Sequence, residues 1–73
     1  MIRIDASTYT DLAQVAKALP DLVRTKRERL GWSQRKTAKV LGVSFSTVHR
    51  IEAGHDYNSR ALPAILRWLA EAS

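Results

Sequence analysis

Residues 33–54, SQRKTAKVLGVSFSTVHRIEAG, limit the possible folds more than any other stretch of the chain. They form two short runs, each opened by a serine and closed by a glycine. Ser33 and Ser44 carry side-chain acceptors that suit the first free N–H groups of a helix. Gly42 can take the left-handed backbone that a tight turn after a helix requires, and Gly54 stands where the second helix ends. The spacing predicts helices over 34–41 and 44–53. Ala38 is small where the two must cross closely, and Leu41, Val43, Val48 and Ile51 supply the apolar contacts that set the angle between them.

The flanks read as helix too. TYTDLAQVAKAL places Leu12, Val15, Ala16 and Leu19 at helical spacing, with Thr8 and Asp11 as a capping-box start. Before it, Ile2 and Ile4 alternate with Arg3 and Asp5 in the pattern of a short strand. Pro20 is costly inside a helix and welcome in a first turn, so a break is expected near residues 19 and 20, with a kinked continuous helix as the alternative. From there to Gly31, Leu19 or Leu22 joins Val23 and Leu30 on an apolar face, while Arg24, Lys26, Glu28 and Arg29 populate the rest. Beyond the polar loop GHDYNSR a last helix carries Leu62, Ile65, Leu66 and Leu69. Pro63 belongs in its first turn, which puts its start at residues 60–62.

With 73 residues the chain suits one small domain, and a second core is ruled out. It holds no cysteine, so neither disulfides nor thiolate metal sites supplement the packing, which suits a reducing cytoplasm. The start MIRIDASTYT lacks a basic segment followed by an apolar one, and apolar runs elsewhere are only a few residues long, so neither a signal peptide nor a membrane span is expected. The formal charge is +5 and the pI about 10.3, which favours a polyanionic partner. Nine of the twelve Lys and Arg lie between Arg24 and Arg60, where the only acids are Glu28, Glu52 and Asp56. A solvated surface made basic for solubility is the bland alternative.

Two short helices joined by a tight glycine turn match the helix-turn-helix arrangement. The segment LGWSQRKTAKVLGVSFSTVHRIEAG, with SRALPAIL after the loop, resembles the Cro/C1-type helix-turn-helix family, also called Xre-like, of phage repressors and small bacterial regulators. The resemblance covers residues 20–69. It implies an all-α, lambda-repressor-like compact bundle of roughly five helices whose element at residues 44–53 enters the DNA major groove, commonly as a homodimer on a near-palindromic site. Residues 1–18 are not covered; they are expected to pack on, or to extend, the core at 20–69 within a single domain spanning 1–73. Thr37 departs from the pattern by standing where the family usually has leucine. Its methyl fills that space less completely, or a neighbour such as Trp32 fills it.

Helical geometry agrees with that assignment. At about 100° per residue, Val48 and Ile51 share one side of the second motif helix, and Phe45, Ser46, His49 and Arg50 fall in a sector on the other. Arg50 suits a bidentate contact to guanine, Ser46 is a short donor or acceptor, His49 can donate to a purine N7 or a phosphate, and Phe45 can lie against a thymine methyl. For Arg50 and His49 the plain alternative is a solvated surface residue. Ser33 and Gln34 open the first motif helix, where the resemblance implies phosphate contacts and free N–H groups favour an anion. Ser33 and Ser44 are caps, phosphate ligands or both. Arg35, Lys36 and Lys39 offer electrostatic contacts, at least one of them to bulk solvent. Arg60 matches a family position near the backbone and minor groove, or is a first-turn surface arginine. Tyr57 and Asn58 are weaker phosphate candidates. The resemblance assigns Arg27 and Glu52 to a partly buried ion pair of the scaffold.

His49 and His55 have no spaced carboxylates or thiols to form a metal site, and no phosphate cradle or activated nucleophile is present. No enzyme, metal or cofactor is expected. The chain reads as a sequence-specific double-stranded DNA-binding regulator, a repressor acting by promoter occupancy as a homodimer. The alternative is a protein-interaction module, such as an antitoxin that autoregulates through its helix-turn-helix. A protein partner would use residues 1–18 or the last helix, where Trp68 lies beside the leucine stripe; self-packing is the plain reading of both.

Overall fold

The computed structural model describes residues 5–71, and among these every regular element is helical. Helix α1 runs Ala6–Arg29, α2 Gln34–Leu41 and α3 Phe45–Ala53; a single 3-10 turn, Ser59–Ala61, leads into α4, Leu62–Ala70. Four α-helices therefore stand where roughly five were expected, because α1 passes through Pro20 without a break. Proline in a helix interior costs about 3 kcal/mol. The offset is visible on either side of it: Leu19 and Val23 lie on one stripe and are only 2% and 1% exposed. Burying each is worth roughly 1.5–3 kcal/mol, and a break at Pro20 would turn one of them away from the core.

Helix α1 also starts one turn before the expected capping box. Asp5 is its N-cap, accepting the Thr8 N–H at 3.1 Å and the Thr8 hydroxyl at 3.3 Å. The expected strand at Ile2 and Ile4 lies outside the described residues. Residues 6–18 form the first part of α1. Tyr9, Leu12 and Val15 are 64%, 52% and 38% exposed, although their spacing had placed Leu12 and Val15 inward. These three side chains stay exposed where α1 runs on before Leu19, so the apolar stripe of α1 overhangs the bundle there.

The core joins Leu19 and Val23 of α1, Ile51 of α3, and Ala61, Ile65 and Trp68 around α4, with Leu30, Trp32, Leu41 and Val43 packed at its edge. Trp68 stacks on Trp32, the ring centroids 6.1 Å apart, and at 5% exposure it packs into the core. Lys26, which the charge pattern had placed on the solvated face, is buried. Its ammonium donates to the carbonyls of Trp68 and Glu71 at the end of α4 and lies 5.1 Å from the Trp68 ring. A cation there satisfies orphan carbonyls and the negative end of the helix dipole.

Between α2 and α3, Gly42 has φ +73°, and the Val43 N–H reaches back to the Ala38 carbonyl at 3.0 Å. That geometry closes α2 without strain only when no Cβ is present. Thr37 is completely buried, and its hydroxyl donates to the Ser33 carbonyl at 2.9 Å, so threonine in a leucine position strands no polar atom.

Glu52, on the inner side of α3 and only 5% exposed, is the polar centre of the bundle. Arg27 donates to it through Nε at 2.7 Å and Nη2 at 2.9 Å, and through Nη1 to the Trp32 carbonyl at 3.0 Å. Arg24 donates to the Glu52 main-chain carbonyl at 2.7 Å and lies 3.6 Å from the carboxylate. Burial pushes the Glu52 carboxyl up, but hydrogen bonds from Arg27 and Gln34 and the charges of Arg27 and Arg24 outweigh it, leaving the group below its ordinary value. Hydrogen bonding to Glu52 likewise raises Arg27 above its ordinary value.

Arg27→Met should strand the Glu52 charge and cost about 3 kcal/mol or more by urea unfolding at neutral pH. Because the folded Glu52 carboxyl is depressed, its contribution is complete above the ordinary value of 4.5 and is lost as pH falls below it. Glu52→Gln should therefore lower stability at neutral pH and flatten the acid limb of the stability curve. An unchanged acid limb would show that Glu52 does not govern it.

Candidate nucleic-acid interface

The caps come first, because they decide where each short helix presents its N–H groups. Ser33 accepts the Lys36 N–H at 3.0 Å and Ser44 accepts the Thr47 N–H at 3.1 Å. Ser44 and Thr47 also join hydroxyl to hydroxyl at 2.8 Å. Both serines are thus N-caps by geometry, each leaving neighbouring first-turn N–H groups directed outward. With Val48, Ile51 and Glu52 buried, the outward side of α3 consists of Ser46, His49, Arg50 and Ala53, all exposed.

Phe45 stands at the edge of this face rather than in its middle. It is turned only about 60° from Val48 around the helix, and it is 37% exposed. The cover comes from two sides. The Arg35 guanidinium of α2 lies 4.4 Å from the ring centroid, and the His49 ring, one turn along α3, lies nearly parallel to it at 6.0 Å. Arg35, expected among the phosphate contacts, is therefore stacked on Phe45.

Two shallow grooves flank α3. One, of about 310 Å³, is lined by Ser44, Ser46, Thr47, Arg50, Asp56, Tyr57 and Asn58. The other, of about 280 Å³, is lined by Gly42, Val43, Ser44, Thr47, Asn58, Arg60 and Ala61. Ser44, Thr47 and Asn58 form their common wall, so Arg50 and Arg60 belong to one continuous surface. Asn58 shapes it by accepting the Arg60 N–H at 3.0 Å, which caps the 3-10 turn. Thr47 and Asp56 line the surface without having been singled out from sequence. For Thr47 the signal was its place three residues after the cap Ser44; for Asp56 no local signal existed, because the loop path decides it.

Gln34 and Lys36 are engaged elsewhere. The Gln34 side chain hydrogen-bonds to Glu52, and the Lys36 ammonium lies 5.2 Å from the Trp32 ring and lines neither groove. Arg24, Lys26 and Arg27 are held by internal carbonyls and by Glu52. Part of the basic excess is therefore scaffold. On the outer side of α3, Arg35 stacks on Phe45 while Arg50 and Arg60 line the grooves. Among the described residues no group of His, Cys, Asp and Glu has the arrangement of a metal site, and no helix is long and apolar enough to cross a membrane.

A family model described as helix-turn-helix, of the Cro/C1 or Xre-like type, matches residues 23–61, which take in the last two turns of α1, both motif helices and the 3-10 turn. No curated protein and no solved structure matches the chain.

Replacing Phe45 by alanine should cost about 1–2 kcal/mol, the sum of an exposed cation–π contact and one aromatic pair. A core phenylalanine would cost about 3–5 kcal/mol. Urea unfolding distinguishes the two, and the larger loss would return Phe45 to the core.

Proposed function

The chain belongs to the Cro/C1-type helix-turn-helix family, and from that premise we propose that it is a sequence-specific double-stranded DNA-binding regulator that represses by promoter occupancy. The observation that carries the reading is the outer face of α3. Ser46, His49 and Arg50 stand exposed there, above a groove wall that continues to Arg60. In this reading α3 lies in the major groove, where Arg50 makes bidentate hydrogen bonds to guanine O6 and N7, and Ser46 and His49 contact neighbouring base edges or phosphate. The capped N-termini of α2 and α3 receive phosphates, with Ser33, Gln34 and Ser44 nearby, and Arg60 reaches the backbone and the minor groove. No catalysis or cofactor enters the proposal.

One recognition helix spans few base pairs, so we further propose a homodimer on a near-palindromic operator, with half-sites about one DNA turn apart. The exposed stripe Tyr9, Leu12 and Val15 on the overhang of α1 supports a contact between copies. It carries little charge, in contrast to the basic face around α3. The same stripe supports the second reading, an interaction module that holds a different protein through residues 6–18 while its helix-turn-helix autoregulates.

In gel-shift titrations, Arg50→Ala should cost roughly 1–3 kcal/mol and relax preference at one base position, whereas Arg60→Ala should weaken all duplexes alike. Unchanged sequence preference in Arg50→Ala would remove Arg50 from the base-reading set. In light scattering on the operator, Leu12→Lys should convert a two-copy complex into a one-copy complex without loss of the monomer fold. A wild-type chain that is monomeric both free and on DNA would remove the dimer, and tight binding of a second protein in place of DNA would favour the interaction module.

A further inference from the structure

We propose that Arg35 determines base preference through Phe45, so that α2 takes part in reading a base it does not touch. The proposal rests on the reading of α3 as the recognition helix. Phe45 is the first residue of α3, and at 37% exposure the core does not hold its ring. What holds it is a three-member stack: the Arg35 guanidinium at 4.4 Å, the Phe45 ring, and the His49 ring at 6.0 Å with an interplanar angle of 24°. Among the described residues Arg35 takes no part in the ion pairs that tie Arg24 to Asp21 and Glu52 and Arg27 to Glu52.

A planar guanidinium on an aromatic face fixes the ring plane and keeps its own N–H edge pointing away from the ring. Arg35 therefore does two separable things. Its charge attracts phosphate whatever the sequence, and its flat face sets where Phe45 and, one turn on, His49 stand against the bases. A methyl contact from Phe45 demands placement to within about 0.5 Å, which a phenylalanine free on one side does not supply. Removing the guanidinium face takes away one of the two ring contacts that hold Phe45, and Phe45 and His49 then sample a wider range.

The test is a set of relative affinities for duplexes recovered from a random-sequence pool and for their single-base variants. It compares the wild type with Arg35→Ala, Arg35→Lys, Phe45→Ala and the double alanine variant. Arg35→Ala and Phe45→Ala are expected to flatten preference at the same base pair, Arg35→Ala by about 2–5-fold, the equivalent of one exposed cation–π contact. The double variant should be no flatter there than Phe45→Ala alone. Arg35→Lys, which keeps the charge without the planar face, should recover overall affinity and its salt dependence but not the preference.

A uniform loss across all duplexes in Arg35→Ala, or full additivity with Phe45→Ala, would overturn the proposal. A second readout needs no DNA: the His49 ring protons should shift in the nuclear magnetic resonance spectrum of Arg35→Ala, and unchanged shifts would equally overturn it. If Phe45→Ala and Arg50→Ala both leave preference intact, the reading of α3 fails and this proposal with it. If those two change preference and Arg35→Ala does not, only this proposal fails.

Discussion

The carboxylate of Glu52 is the constraint around which the other parts are arranged. It projects from the inner side of α3 into a space where only 5% of the residue meets solvent, and a charge so placed is tolerable only when it is paired and hydrogen-bonded. Arg27 and Arg24 of α1 and Gln34 of α2 supply the partners. Because the guanidinium of Arg27 meets the carboxylate with two parallel bonds, the pair fixes direction as well as distance. Rotation of α3 about its axis would break that geometry. The orientation of its outer face, with Ser46, His49 and Arg50, is thus set from within.

A second buried charge, one residue along α1 from Arg27, lies against the end of α4. Lys26 ends α4 by donating to its last carbonyls, and Trp68 and Trp32 stack beside it. Together the two devices consume Arg24, Lys26 and Arg27, a cluster that net charge alone would assign to a polyanionic partner. The positive surface that remains beside α3 is narrower than the sequence total suggests, and it comes from separate elements: Arg35 from α2, Arg50 from α3 and Arg60 from the 3-10 turn. Grooves that share Ser44, Thr47 and Asn58 connect the last two.

Helix α1 joins two parts of different character. From Leu19 onward it is a core helix, and its inward residues meet α3 and α4. Before Leu19 the same stripe continues over Val15, Leu12 and Tyr9, which stay exposed. Periodicity reports only that a helix has an apolar face; it is silent on whether the chain owns a surface to cover that face. Pro20, at the junction, was read as a boundary because its local cost is real. The burial of Leu19 and Val23 on either side of it outweighs that cost.

What the sequence determined by itself were the features governed by local chemistry. Serine caps, left-handed glycines and apolar spacing specify α2, the turn at Gly42, α3 and the first turn of α4 at Pro63, because each depends on groups within a few residues of one another. The outward side of α3 followed from the same spacing, whereas Arg27 with Glu52 was legible for a different reason: the family pattern carries tertiary information that spacing lacks. Only the tertiary structure decided the rest. It put Lys26 inside, since a cation is stable there once α4 ends against it; it carried α1 through Pro20; it drew Gln34 to Glu52 and Arg35 onto Phe45. Each of these depends on groups far apart in the chain meeting in space, where the energy of the contact exceeds what the local residues prefer.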